Sequence, residues 1–274
     1  MGSVRWRTAI GRPLFFFSQE ITIRLIKKDK GVMEDKKLTM PMIALRGLTV
    51  LPQMTVNFDI IRDKSIAAVE QAMVGDQRVF LATQKQPDEV IPDIDGIFQV
   101  GTIGYVKQLV KMPGGMVRVT VEGQERAELL EMEKGEACCT AIVEILDPVE
   151  DDLDTIQKEA MLRILKEKLE SYGHQHPKFA KEILPGMMVC EDLESLMLKM
   201  ASDLPWDYRI RQAYLEEATL AGQYEVLLSN LIHEIEVSQI HRELQEKVKE
   251  NIDKNQKDYI LREQLKVIRE ELGE

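Results

Sequence analysis

Cysteine, aromatic residues, positive charge and long apolar runs are all scarce in this sequence, and each scarcity excludes something. Three cysteines in 274 residues, Cys138, Cys139 and Cys190, are odd in number and show no framework spacing. That excludes a disulfide-stapled fold and suits a reducing compartment. Lys and Arg number 36 against 47 Asp and Glu, a net charge of −11. A nucleic-acid footprint needs a basic face, so no nucleic-acid partner is expected. The apolar run at residues 14–17 is too short to span a bilayer, and no membrane partner is expected either.

Chemistry-bearing motifs are missing as well. The sequence holds no G-x-x-x-x-G-K-[ST] phosphate loop, no G-x-G-x-x-G, no G-x-S-x-G elbow and no H-E-x-x-H. The paired His174 and His176, in "GHQHPKF", sit in a polar stretch where solvated histidines are the rule. Cys138 and Cys139 are adjacent in a strand-like run, so their side chains point to opposite faces and read as structural thiols. No catalytic residue, cofactor or metal is expected of this chain.

What is present falls into textures that change along the chain. Residues 1–37 form an atypical basic head, expected to be disordered or not native; residues 1–32 carry seven Lys/Arg against two Asp/Glu, and Met33 reads as the initiator. From residue 38 to 149 the pattern is mostly strand-like. "MVRVTVEG" alternates with period two, Val117, Val119 and Val121 on one face and Arg118, Thr120 and Glu122 on the other. "KMPGG" supplies a turn before it, so "YVKQLVK" and "MVRVTVE" are expected to form a hairpin, with a bend, bulge or end at Gly123. One helix, "DKSIAAVEQAMVGD", interrupts the strands and is expected to face inward through Ile66, Val69, Met73 and Val74. These features predict a β-rich α+β unit.

The acidic stretch at residues 150–154 marks a linker and a helix start. Residues 150–222 then read as a small helical bundle, including "TIQKEAMLRILKEKLESYG" with Gly173 as its stop. Residues 223–274 read as a long helical arm, because residues 223–272 contain neither Gly nor Pro. The arm's apolar stripe, Ile240, Leu244, Val248, Ile252 and Tyr259, is narrow and needs something to pack on. Such an arm suits a coiled coil.

Three stretches, in this order, carry a family resemblance: "MPMIALRGLTVLPQMTVNFDIIRDKSIAAVEQAM", "VGTIGYVKQLVKMPGGMVRVTVEGQERAEL" and "KVKENIDKNQKDYILREQLKVIREELGE". Over residues 38–274 the sequence resembles the amino-terminal region of the ATP-dependent Lon protease. Gly47 and Gln53 depart from the family's usual Asp and Gly. The resemblance implies a PUA-like fold for residues 38–149, followed by helices. It implies recognition of unfolded or damaged protein substrates, and support of a hexamer through Lon ATPase/protease subunits or through copies of itself. The AAA+ ATPase and the Ser–Lys peptidase of that family have no counterpart here, so the chain is expected to be a non-catalytic segment of an ATP-dependent serine endopeptidase, located in the cytoplasm. The alternative is a free-standing adaptor or chaperone-like protein that self-associates through its terminal helix. A third reading, RNA binding by the PUA-like half, is opposed by that half's acidity.

An exposed contact surface for client proteins is expected at the hairpin tip, Met112, Pro113, Gly114, Gly115 and Met116, where two Met flank a turn that polar residues would serve equally well.

Overall fold

The computed structural model describes residues 37–89 and 92–272. The basic head therefore lies outside the described residues, apart from Lys37. Six strands, β1 (Lys37–Leu45), β2 (Thr55–Ile60), β3 (Arg78–Thr83), β4 (Val100–Lys111), β5 (Val117–Lys134) and β6 (Cys139–Ile145), form one sheet in the order β2-β5-β4-β3-β1-β6. A further β5–β6 pairing joins the far strand back to β5 and closes the sheet into a barrel.

One strand makes this closure possible. β5 runs 18 residues, its first half pairing β2 and its second half β6, while β4 lies along both. It turns between those partners at Gly123, where the register against β4 slips and Gln124 is the extra residue. The strand does not end at this glycine; it bulges there. The backbone needs glycine at this point, since a Cβ on Gly123 would lie 2.1 Å from the carbonyl oxygen of Leu51. The expected β4–β5 hairpin forms, Lys111 pairing Val117 across its tip.

Strand alternation feeds two cores. Val79 and Leu81 of β3 join Val106, Val119 and Val121 in one, while Phe80 and Ala82 join Ile103, Ala127 and Val143 in the other. Helix α1 (Asp63–Val74) covers the first core through Ser65, Ala68, Val69 and Ala72, with Ile66 and Met73 half-buried at its sides. The expectation that Val74 faces inward is overturned: it is 90% exposed. The small residues at 68 and 72 let the helix lie close on the barrel, and the buried face follows their spacing.

The helices follow: α2 (Thr155–Gln175), α3 (Pro177–Glu182), α4 (Leu184–Met188), α5 (Leu193–Asp203), α6 (Tyr208–Glu216) and α7 (Leu220–Leu272). α2 starts at a capping box in which Asp154 and Gln157 bond reciprocally. It passes through Gly173, the expected stop, because the glycine is buried against Ala180 and Leu184 where a side chain would crowd. Leu165, Leu169, Met187, Leu196, Met197, Met200 and Leu231 form the bundle core.

Barrel and bundle are joined by a buried seam. Leu51, from the loop before β2, lies wholly inside the helical core. Gln212 Nε2 donates to the Val100 carbonyl at 2.8 Å, and the Arg126 guanidinium donates to the carbonyls of Leu215 and Glu217. Burial pushes the Arg126 pKa down, as expected for a cation taken from water.

Candidate functional site

The arm is the longest element among the described residues. α7 is 53 residues long, about 80 Å at 1.5 Å per residue. Its first turns pack in the bundle through Tyr224, Leu227 and Leu231. From residue 239 onward every side chain described is exposed, including the apolar Ile240, Leu244, Val248 and Ile252. No helix among the described residues is long and apolar enough to cross a membrane.

The hairpin tip closes with the Met112 amide donating to the Met116 carbonyl at 2.8 Å. Gly114 and Gly115 have φ of 86° and 81°, left-handed values that explain a Gly-Gly turn, and a Cβ on either would meet open space. Pro113, Gly114 and Gly115 are exposed, and Met112 and Met116 are half-buried at their roots. The five residues thus form one protruding apolar corner of the barrel.

A second surface was not evident in the sequence. Two clefts meet over the Ile61–Arg62 segment. One, of about 190 Å³, lies between β1 and β2 and is lined by Leu45, Phe58 and Ile60. The other, of about 360 Å³, lies at the start of α1 and is lined by Met42, Ile97, Met132 and Cys139. They share Ala44, Ile61, Arg62 and Ser65, so they adjoin along the Ile61–Arg62 segment, the one between β1 and β2 forming a trench. Ile61, on its rim, is 74% exposed, although Ile60 beside it is buried. The only sequence signal was the Ile60–Ile61 doublet, in which one residue must face outward when the strand ends.

Three cations border the trench. Arg46 donates to the Gln84 side-chain oxygen and the Glu89 carbonyl, Lys64 to the Gly135 carbonyl, and Arg62 to the Ala44 carbonyl. Asp59, also at the edge, is gripped by Arg118 through two bonds of 2.7 and 2.9 Å, and this hydrogen bond holds its carboxyl below the usual range. Asp63 lines the second cleft as well, so the lining carries three cations against two carboxylates, one of them held by Arg118.

The remaining candidates serve structure. The buried Cys138 thiol donates to the Gln71 side-chain oxygen at 2.9 Å, while Cys139 is half-buried and lines the cleft at the start of α1, so only the first is a fully interior thiol. His176 stacks on Tyr172 with ring centroids 4.1 Å apart, and its Nε2 lies 3.0 Å from Ser238 Oγ, tying the end of α2 to the arm. Among the described residues no group of three or more His, Cys, Asp or Glu is placed to hold a metal ion.

Comparison with known proteins adds to this geometry. Residues 39–233 match the family model of the ATP-dependent protease La (LON) substrate-binding domain. The chain is 39% identical over 242 residues to a Lon protease of Lachnoclostridium phytofermentans, covering 88% of this chain and 30% of the relative. It is 34% identical over 241 residues to Lon protease 1 of Bacillus subtilis, covering 88% and 31%. The chain thus spans about three-tenths of the length of these curated relatives. In solved structures, the N-terminal domain of a Mycobacterium avium complex Lon protease has the same fold, with a TM-score of 0.57 at 19% identity over 71% of this chain and 98% of that one.

Proposed function

Because this chain belongs to the family of Lon substrate-binding domains, we propose that it captures unfolded or damaged polypeptides for an ATP-dependent Lon peptidase and performs no chemistry itself. The observation that carries the reading is the match of residues 39–233 to a substrate-binding family, with relatives aligned through the same amino-terminal region. The structure supports it physically. A module that selects unfolded clients needs exposed apolar contacts and unpaired strand edges, which folded neighbours do not offer. The hairpin corner at Met112, Pro113, Gly114, Gly115 and Met116 supplies one such contact. Several copies tethered around one pore gain affinity by avidity, with α7 setting their reach. A cytoplasmic location belongs to the same proposal.

The test is binding of fluorescent casein by the purified chain, followed by anisotropy without nucleotide. Saturable binding with no ATP turnover is expected. ATP hydrolysis by pure material, or no casein binding, overturns the proposal.

A second reading rests on a different observation, the exposed apolar side chains along α7. Under it the chain self-associates through its arm, as a free-standing adaptor or within a larger ring. Deleting residues 245–274 then converts the assembly to monomer in light scattering. A full-length chain that is monomeric at all concentrations removes this reading.

A further inference from the structure

We propose that the trench between β1 and β2 is a strand-addition site, which takes an extended client segment of alternating apolar residues bearing a carboxylate. The proposal deepens the capture reading and rests on it. Among the described residues β2 is paired as a strand with β5 alone, leaving its other edge without a strand partner. β1 is in a similar position over its second half. It pairs β6 through residues 37–41 and β3 through residues 42–45, so past Pro41 the side turned away from β3 has no strand neighbour among the described residues.

The cleft lined by both strands lies between these edges. A side chain performs there the task a strand would perform: the Arg62 guanidinium donates to the Ala44 carbonyl of the unpaired edge. An incoming backbone amide offers that carbonyl an equivalent donor. Strand addition also explains the apolar lining. In a strand alternate residues face one way, so every second side chain of the guest falls toward the half-buried Phe58 or packs on the exposed Ile61.

Charge selects among guests. Arg46 and Lys64 are hydrogen-bonded to neutral oxygens, so beside the single carboxylate of Asp63 their charge is left to complement an acid on the guest. On a chain of net charge −11, this border is where an acidic client meets attraction instead of repulsion.

The experiment uses the full chain and a fluorescein-labelled octapeptide of alternating Val and Thr with one central Glu. Parallel samples use the same peptide N-methylated at alternate amides, the peptide with Lys in place of Glu, and casein. Binding of the Glu peptide is expected, with at least tenfold loss on N-methylation and at least tenfold loss in Ile61→Asp. Ile61 is exposed, so that variant keeps its fold, checked by circular dichroism. Lys64→Glu is expected to reverse the preference between the Glu and Lys peptides. Casein bound normally while the octapeptide is ignored, or is insensitive to N-methylation or to Ile61→Asp, overturns the trench and leaves the capture reading standing. A chain that binds no casein removes the capture reading itself. A dimer that Ile61→Asp dissolves overturns the proposal in favour of β2 pairing with a second copy.

Discussion

The Thr49 hydroxyl donates to the carbonyl of Tyr208 at 3.0 Å, joining residues 159 positions apart. Thr49 is completely buried and lies 2.9 Å from the Thr83 hydroxyl, so the bond is one member of a buried polar cluster between barrel and bundle. A buried hydroxyl without a partner is costly, and separating the two halves would create several such groups at once. The arm's first turns belong to the same bundle core, so the seam ties the barrel to the root of α7.

Arg126 tests this coupling. Its guanidinium holds the carbonyls of Leu215 and Glu217 just before the arm begins. Arg126→Met keeps the aliphatic stem and removes the donors, so two carbonyls lose a charged partner. A loss of about 2 kcal/mol is expected in urea unfolding. The transition should stay single, because Leu51 and Thr49 still span the seam; two resolved transitions would mean that Arg126 alone couples the halves.

Backbone conformation gives a pair of opposite predictions. Gly123→Ala pushes a Cβ against the Leu51 carbonyl and is expected to cost about 3 kcal/mol or more, read as a lower midpoint in urea. Gln53, by contrast, holds φ at 65° without being glycine, its amide bonding the Gly123 carbonyl at 2.8 Å. Gln53→Gly relieves the left-handed strain and is expected to stabilise by about 0.5 kcal/mol after the added freedom of the unfolded chain is counted.

The cap of α5 predicts a pH dependence. The Asp192 carboxylate accepts from the Ser195 amide at 2.7 Å, and that bond holds its pKa below the ordinary value of about 3.9. A depressed acid stabilises the fold fully above its unfolded pKa, and the contribution is lost as pH falls through the folded one. Asp192→Ala should therefore cost about 1 kcal/mol at pH 7 and progressively less below about pH 4. Asp192→Asn should retain most of the cap and show none of that pH dependence. Thermal melts of the three proteins between pH 3 and 7 decide it.

The hairpin corner separates binding from stability. Met112→Ser with Met116→Ser removes apolar surface that is only half-buried, so unfolding should shift by about 1 kcal/mol or less. Casein affinity should fall at least threefold if the corner is a contact. Unchanged affinity would assign client capture to other surfaces.

Local patterns determined a great deal about this protein. The alternation through residues 117–122, the Pro-Gly-Gly turn, the apolar periodicity after residue 154 and the Gly- and Pro-free tail each specify an element by themselves, because strand, turn and helix have their own periods and backbone needs. The order of three motifs was enough to point to the family. Only the tertiary structure decided what depends on contacts between distant residues. Gly123 bulges instead of ending its strand because Leu51 and two sets of partner strands meet it there. Gly173 stays helical because Ala180 and Leu184 pack where a side chain would stand. Val74 faces water because Ala68 and Ala72 set the buried face. The trench exists because β1 and β2 stop short of pairing, and pairing depends on register and closure across the whole sheet, which no local pattern records.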